Sequence, residues 1–413
     1  MTRRVLVLGC GAQGRAAVHD LATGADGTTV VVADANPDAL AISRRHDPAR
    51  VTAQVVDARD EAAVYGLMRD ADVVVEALPG SFAMPMAHLA AASAGVSLVS
   101  SMYLRDPQER DPDKRAAAER ATRALASDAR ARGIAILPEF GLDPGLDLLL
   151  GVRALAEVDD VIEFHSYGAG IPGLRARANP LGYRFSWSPI GVMRSYRRPA
   201  RLIRGGVAVD VPPTALFEPD RRHYVDLPAL DARLECFPNG DAVHYAELFG
   251  VNDRVREMGR YTGRLAGHGA FWDVLVKSGF LESAPIDVRG ALVSPIEFTA
   301  TLLASQGQFQ YGDDDEDLAW IRADVRGRRD GAGVRVVYDL VDRRDAATGL
   351  TAMQRTVGFT LARGARLLLD GTLGRTGLLS PLDVPYDLVF PALERHGIVV
   401  SRTEATWTSG AEM

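Results

Sequence analysis

The sequence predicts an α/β protein in which a doubly wound parallel sheet is followed by a mixed α+β second domain. Three observations carry this expectation. A glycine-rich turn joins the first apolar run to the first helical pattern. Apolar runs and helical patterns then alternate as far as residue 147. Past that point the rhythm stops, and alternating strands joined by short turns replace it.

The first run, Arg4-Val5-Leu6-Val7-Leu8-Gly9, has the continuous apolarity of a strand buried on both faces. Gly9-Cys10-Gly11-Ala12-Gln13-Gly14 follows, then a helix from Arg15 to about Leu21. Between a strand and a helix this spacing is the Rossmann dinucleotide fingerprint. Gly9 permits the tight turn, Gly11 lets the backbone approach a pyrophosphate, and Gly14 allows the helix to pack closely on the strand. The helix N-terminus, with Ala12 and Gln13 in its first turn, adds N–H donors and positive dipole. A second strand ends at Asp34, about 20 residues beyond the motif, where an acid binds the ribose hydroxyls. A carboxylate about 4 Å from a 2′-phosphate repels it by about 4 kcal/mol per charge pair at an effective dielectric of about 20. Ala35, Asn36 and Pro37 come next, with no adjacent Arg. The expected cofactor is therefore NAD, with NADP disfavoured.

Further strands are expected over 51–56, 72–77, 97–102 and 134–137, with helices over 61–69, 82–94 and 113–132. Right-handed parallel crossovers follow from that order, and ligands of such sheets sit at the carboxyl ends of the strands. Asp57, Leu78 and Pro79 lie at such ends and join the cofactor set; Tyr103 follows the fifth strand. The turn Glu139-Phe140-Gly141-Leu142-Asp143-Pro144-Gly145-Leu146-Asp147 has two readings. Asp143 fits an N-cap with Pro144 at the first helical position. Alternatively, an acid group and a helix N-terminus are aimed at a substrate.

In the second domain, strands are expected over 158–167, 207–211, 232–237 and 242–246, and a hairpin pairs 318–325 with 334–340. Helices are expected over 271–278, 295–305 and 352–363. Residues 1–147 form the cofactor domain and 148–350 the second domain.

Composition excludes several classes. The 413 residues carry a net charge of −7 without a basic stripe, so nucleic-acid binding is not expected. No run of eighteen apolar residues exists, so no membrane span is expected. The N-terminus runs straight into a strand pattern, unlike a signal peptide, and Cys10 and Cys236 are too few for a disulfide framework; a cytoplasmic setting is expected. The His residues lack metal-ligand spacing, and the acidic run 313–317 reads as a solvated loop, so no metal is expected. His165 falls in a strand and reads as structural. His268, between Gly267 and Gly269, reads as an exposed loop histidine suited to proton transfer. Lys114 and Lys277 are the sole lysines, which leaves little room for lysine catalysis.

Several segments resemble the saccharopine dehydrogenase family, especially its glutamate-forming branch. They are the turn 139–147, Ser166-Tyr167 with Gly170-Ile171-Pro172, and above all Asn179-Pro180-Leu181-Gly182-Tyr183-Arg184-Phe185-Ser186-Trp187-Ser188. Phe237-Pro238-Asn239-Gly240-Asp241, Leu369-Asp370-Gly371-Thr372-Leu373 and Gly377-Leu378-Leu379 match as well. Asp345, the segment 348–353, Arg355-Thr356 and Arg264 with Gly267-His268 resemble lysine 6-dehydrogenase relatives instead. The fungal branch has a Cys where this chain has Gly168, and its long helical insertion is shortened here between about Leu281 and Tyr311.

The resemblance implies redox chemistry at the C–N bond of a lysine ε-nitrogen. A secondary amine gives up a hydride, and the resulting imine is hydrolysed to aldehyde and amine. It also implies a second domain that dimerises, giving a homodimer, and a chain end, 351–413, that returns towards the first domain. On this footing Asp143 or His268 is the acid–base group and Tyr103 orients the substrate. Arg184 and Arg264 clamp carboxylates, an Arg task because its fork binds them bidentately. Asn179, Tyr183 and Ser186 complete the substrate set. The site is expected between the domains, with Asp143 and His268 facing each other. Lysine 6-dehydrogenase activity and a non-catalytic cofactor-binding role are the competing readings.

Overall fold

The computed structural model describes residues 3–43, 49–106, 109, 111–312 and 314–408. In chain order the first strands and helices alternate. They are β1 (Arg4–Leu8), α1 (Ala12–Thr23), β2 (Thr29–Asp34), α2 (Pro37–Ser43), β3 (Val51–Val55), α3 (Glu61–Arg69) and β4 (Val73–Glu76). After these come α4 (Ala83–His88), β5 (Ser97–Ser100), α5 (Pro112–Ala131), β6 (Ala135–Leu137) and α6 (Leu146–Leu155). The middle of the chain supplies strands β7 (Asp160–Pro172), β8 (Ala200–Arg204), β9 (Val207–Val211), β10 (His223–Leu227), β11 (Ala232–Pro238) and β12 (Glu257–Arg264). The hairpin strands β13 (Ile286–Val288) and β14 (Ala291–Val293) and the long strands β15 (Asp317–Arg329) and β16 (Ala332–Arg343) follow. Its helices are α7 (Pro189–Ser195), α8 (Ala242–Leu248), α9 (His268–Lys277) and α10 (Pro295–Ser305). The last elements are α11 (Ala352–Leu369), β17 (Gly377–Leu378), α12 (Tyr386–Glu394) and β18 (Val399–Thr406).

The chain divides into two compact units, Met1–Leu149 with Met353–Ile398, and Leu150–Ala352 with Val399–Met413. The first holds a seven-stranded parallel sheet in the order β17-β6-β5-β4-β1-β2-β3. Helices cover both faces, so Val5, Leu6, Val7, Val32, Val73, Val74, Val75, Leu98, Ile136 and Leu137 are all 1% exposed or less. Each such side chain contributes about 1.5–3 kcal/mol by leaving water. The C-terminal segment completes this unit: β17 pairs with β6, and Arg366 of α11 bonds Asp20 and Asp26 beside the end of α1.

The second unit is built on a nine-stranded mixed sheet, whose main path runs β10-β11-β12-β7-β15-β16-β18. β7 is its hinge of direction, parallel to β12 and antiparallel to β15. The hairpin predicted near 318–340 is present and longer than expected, with Asp330 and Gly331 at φ 52° and 79° making the turn. Both its strands are interior. β16 is paired by β18, so neither strand of this hairpin has an unpaired edge, and residues 399–406 join this unit. Residues 242–246, expected as a strand, begin a helix, because the Asp241 carboxylate caps the Val243 and His244 N–H groups at 3.1 Å.

Among the described residues no helix is long and apolar enough to cross a membrane, and no three His, Cys, Asp or Glu side chains gather as metal ligands. Asp313, first of the acidic run, lies outside the described residues; Asp315 pairs with Arg184 and Asp317 begins β15.

Candidate active site

The dinucleotide half of the site lies in the first unit. Gly9 leaves β1 at φ 92°, and a Cβ there would stand 2.6 Å from the Ala77 carbonyl oxygen. A Cβ on Gly14 would collide with the Gly9 carbonyl. Turn, α1 and the end of β4 therefore interlock through bare backbone. Gly11, the N-cap of α1, is different: no atom lies within 4 Å of where its Cβ would be. That opening sits over first-turn N–H groups, those of Ala12 and Gln13 included, which have no partner within a helix. A pyrophosphate fits such a cradle. Arg15, next after Gly14, has a buried Nε without a partner.

Asp34 has an inward role that the sequence did not suggest. Its Oδ2 accepts the Cys10 N–H at 2.6 Å and its Oδ1 the Asn36 N–H at 2.8 Å. The carboxylate thus fastens the glycine turn to the end of β2. Asp57 is tied within its own loop: it pairs with Arg59 at 2.7 Å, whose hydrogen bonds push its carboxyl down to about 2.

Leu78 and Pro79 leave the end of β4, and Tyr103, half-buried, lies just past β5. Between them is a residue missed in the sequence. Glu76 ends β4 at 0% exposure, its Oε1 accepting the Leu78 N–H at 2.8 Å and its Oε2 the Ser100 hydroxyl. Burial, against those two hydrogen bonds, pushes its carboxyl up to about 7. The signal was available: a charged residue closes a run of three valines buried on both faces.

Asp143 is exposed, on the turn before α6. It is not an N-cap, because the helix begins only at Leu146. The buried Asp147 organises the turn instead, accepting the Gly145 N–H at 2.8 Å.

The second unit holds a buried cluster of polar side chains among aromatic rings. Arg264 ends β12 at 7% exposure, its Nη1 donating to Thr262 Oγ1 at 2.9 Å and the Gly263 carbonyl at 2.8 Å. Its guanidinium lies 5.1 Å from the centre of the Tyr183 ring. Burial opposes its charge, yet Tyr196 and Tyr183 outweigh that and hold its pKa above the ordinary value. Among the described residues it has no carboxylate partner. Its Nε, Trp272 Nε1, the Tyr311 hydroxyl and Glu235 Oε2 are all buried without a hydrogen bond. Unmet buried polar atoms are costly, so such a group is satisfied by water or by a polar ligand.

His268 was expected in an exposed loop. It is instead the first residue of α9, 4% exposed, and its Nε2 is 2.8 Å from the Tyr196 hydroxyl. Burial and the neighbouring Arg264 hold its pKa well below the ordinary value, so it is neutral at physiological pH. Burial likewise pushes the Tyr196 hydroxyl up to about 12.

Two other expected substrate residues hold the chain itself. Asn179 Nδ2 donates to the carbonyls of Ala176, Tyr183 and Gln308, and its Oδ1 accepts from Leu181 and Tyr183. Arg184 is committed to Asp315 at 2.7 Å and to the carbonyls of Ala176 and Gln310. Ser186 is half-buried in the same loop, and Tyr183 forms the pocket wall. Tyr196, Trp272, Glu235 and Tyr311 were missed, and no local pattern sets them apart in the sequence. Asp143 and His268 belong to different units.

Residues 5–137 match the model of the saccharopine dehydrogenase NADP binding domain, and residues 141–398 match that of the saccharopine dehydrogenase C-terminal domain. The chain belongs to the saccharopine dehydrogenase family. Saccharopine dehydrogenase [NADP(+), L-glutamate-forming] of Saccharomyces cerevisiae is 26% identical, over 92% of this chain and 94% of its own length. The mitochondrial alpha-aminoadipic semialdehyde synthase of Rattus norvegicus is 26% identical over 98% of this chain, but the match spans only 48% of that protein. For the Arabidopsis thaliana synthase the share is 37%. The chain thus spans less than half the length of these synthases. The structure of apo saccharopine dehydrogenase (L-Glu forming) from Saccharomyces cerevisiae shares the fold, with a TM-score of 0.81, 23% identity, and 98% and 100% of the two chains covered.

These findings correct the expected cofactor. The matched family model is an NADP-binding domain, and the fungal relatives are named for NADP(+), so they point to NADP rather than NAD. The physical reason for the error is the inward engagement of Asp34. Each of its oxygens accepts a backbone N–H of its own unit, so an acid at the end of β2 has a structural reason to be there whichever cofactor binds.

Proposed function

We propose that this chain is an NADP-dependent oxidoreductase acting on the C–N bond at the ε-nitrogen of saccharopine or a related lysine-derived secondary amine. The observation that carries the reading is Arg264: a buried guanidinium with no carboxylate partner among the described residues, amid unmet polar atoms. A substrate carboxylate would neutralise it.

The residues divide the work as follows. The first turn of α1 and the bare backbone at Gly11 bind the pyrophosphate, and Arg15 offers a cation to a further phosphate. Bound NADP supplies a hydride acceptor. Arg264 takes a substrate carboxylate, stacked on Tyr183, and Tyr311 and Trp272 donate to the same ligand. Of the two groups weighed for acid–base work, Asp143 and His268, the second is disfavoured: an imidazolium beside Arg264 in a buried site is unfavourable, and Nε2 faces the Tyr196 hydroxyl. Its part is to orient Tyr196 within the pocket. Asp143 is the carboxylate offered for taking the amine proton and for activating the water that hydrolyses the imine, and Tyr103 orients the substrate. The assembly implied by the resemblance is a homodimer.

The test is a comparison of kcat/KM for saccharopine and for lysine, at one pH and with saturating NADP. In this reading Arg264 takes a carboxylate of the glutamate half, which lysine lacks, so saccharopine should be favoured at least thirtyfold: a site built for that group loses about 2–5 kcal/mol when it is missing. Equal or faster turnover of lysine with release of ammonia would overturn the assignment in favour of a lysine 6-dehydrogenase.

A further inference from the structure

We propose that Glu76 is a positioning residue whose buried carboxyl ties together the loops after β4 and β5 and thereby sets the cofactor site. The proposal rests on the NADP-binding reading above. Three backbone segments meet at this one residue. Its Oε1 accepts the Leu78 N–H at 2.8 Å and fixes the start of the loop at Leu78 and Pro79. Its Oε2 takes the hydroxyl of Ser100, its register partner across β4 and β5, and Ser100 Oγ accepts the Met102 N–H at 3.0 Å. The next residue, Ala77, carries the carbonyl that leaves no room for a Cβ on Gly9. Shifting Glu76 therefore moves the glycine turn and the loops leading to Pro79 and Tyr103, all at the carboxyl ends of the strands where dinucleotides sit.

A hydrocarbon side chain or a neutral amide would serve packing alone, yet a carboxyl is buried here at 0% exposure with no cation beside it. Its cross-strand neighbours are Leu8 on β1 and Ser100 on β5, and no charged side chain among the described residues pairs with it. The two protonation states make different bonds. The carboxylate accepts from both Leu78 and Ser100. The acid keeps the Leu78 N–H on its carbonyl oxygen and donates to Ser100 Oγ, whose own proton must then turn elsewhere. The loop after β5 is thus held by a hydrogen bond that reverses direction when Glu76 takes up a proton. Burial places that exchange near neutral pH, since the carboxyl is pushed up to about 7.

The test measures the dissociation constant of NADPH by fluorescence titration between about pH 5.5 and 8.5 for the wild type, Glu76→Gln and Glu76→Ala. The wild type should show a step in affinity near pH 7. Glu76→Gln keeps an acceptor for Leu78 and a donor for Ser100, so it should bind within about threefold of the wild type and lack the step. Glu76→Ala should bind at least tenfold more weakly at every pH, and Ser100→Ala should weaken binding in the same sense. A step retained in Glu76→Gln, or wild-type affinity in Glu76→Ala, would overturn the proposal. If Glu76→Ala does not fold, the pH profile of Glu76→Gln alone decides. A wild type that binds no NADPH refutes the cofactor reading instead. In that case the pH dependence of the melting temperature, compared between wild type and Glu76→Gln, still tests the reversal at Glu76.

Discussion

Glu76 and Arg264 show how a buried charge reports its purpose. For Glu76 the sign of the pH effect follows from the direction of its shift. A carboxyl raised from 4.5 to about 7 in the folded state binds more protons folded than unfolded across that interval. Its neutral form gives stability that is fully present below pH 4.5 and is lost as pH rises through 7. The loss is about 3 kcal/mol. Glu76→Gln should therefore melt higher than the wild type at pH 8.5 and no higher at pH 4.5, as differential scanning calorimetry would show. Equal melting temperatures at pH 8.5 would count against it. Arg264→Gln should lower kcat/KM for saccharopine at least thirtyfold and leave NADPH binding unchanged, which separate titrations distinguish.

The same scale explains what could be read of the site from sequence. Tyr183 was singled out through the segment 179–188, and Arg264 through its likeness, with Gly267-His268, to lysine 6-dehydrogenase relatives. Asn179 and Arg184 came from the segment 179–188, and their bonds within the chain were not legible there, because their partners Gln308, Gln310 and Asp315 lie more than a hundred residues away. Tyr196 and Tyr311 were invisible for the converse reason: burial converts ordinary tyrosines into pocket walls, and burial is a property of the folded chain.

At the scale of elements, the first unit was legible almost throughout. The interior strands β1, β2, β4, β5 and β6 are buried over most of their length and read as apolar runs, separated by helical patterns. The second unit was not. Its sheet joins β7 to β12 and β15, strands far apart in sequence, and periodicity names a strand without naming its neighbour. Two predictions belong here. Gly14→Ala should abolish measurable NADPH binding, since the added methyl meets the Gly9 carbonyl and must push α1 off the turn; wild-type affinity in that variant would contradict the interlock. Arg184→Ala should lower stability by about 1–3 kcal/mol through loss of a half-buried ion pair and its carbonyl bonds. With the loop 179–188 held by Asn179, its KM for saccharopine should change less than threefold. A KM raised thirtyfold without loss of stability would restore Arg184 as a substrate clamp.

At the scale of the whole molecule, the chain crosses between its units at 149/150, 352/353 and 398/399. The expected homodimer is tested by light scattering at micromolar concentration, where a monomer mass would refute it. A sheet edge is a poor route to it: β18 covers β16, and its exposed Arg402 and Glu404 are charges that discourage strand addition. Deleting residues 399–413 should lay β16 bare and turn the protein towards aggregation, visible as a rising scattered mass.

The pairing of β16 with β18 also bears on how the chain is made. As the polypeptide emerges, β16 is complete before α11, β17 and α12, and those helices and that strand belong to the other unit. The outer edge of β16 must wait while this excursion is synthesised, exposing Val334 and Val336 backbone to any passing strand. Ribosome-bound chains halted near residue 398 should therefore recruit a holdase chaperone and be cleaved by protease within β16, whereas chains that include β18 should resist both.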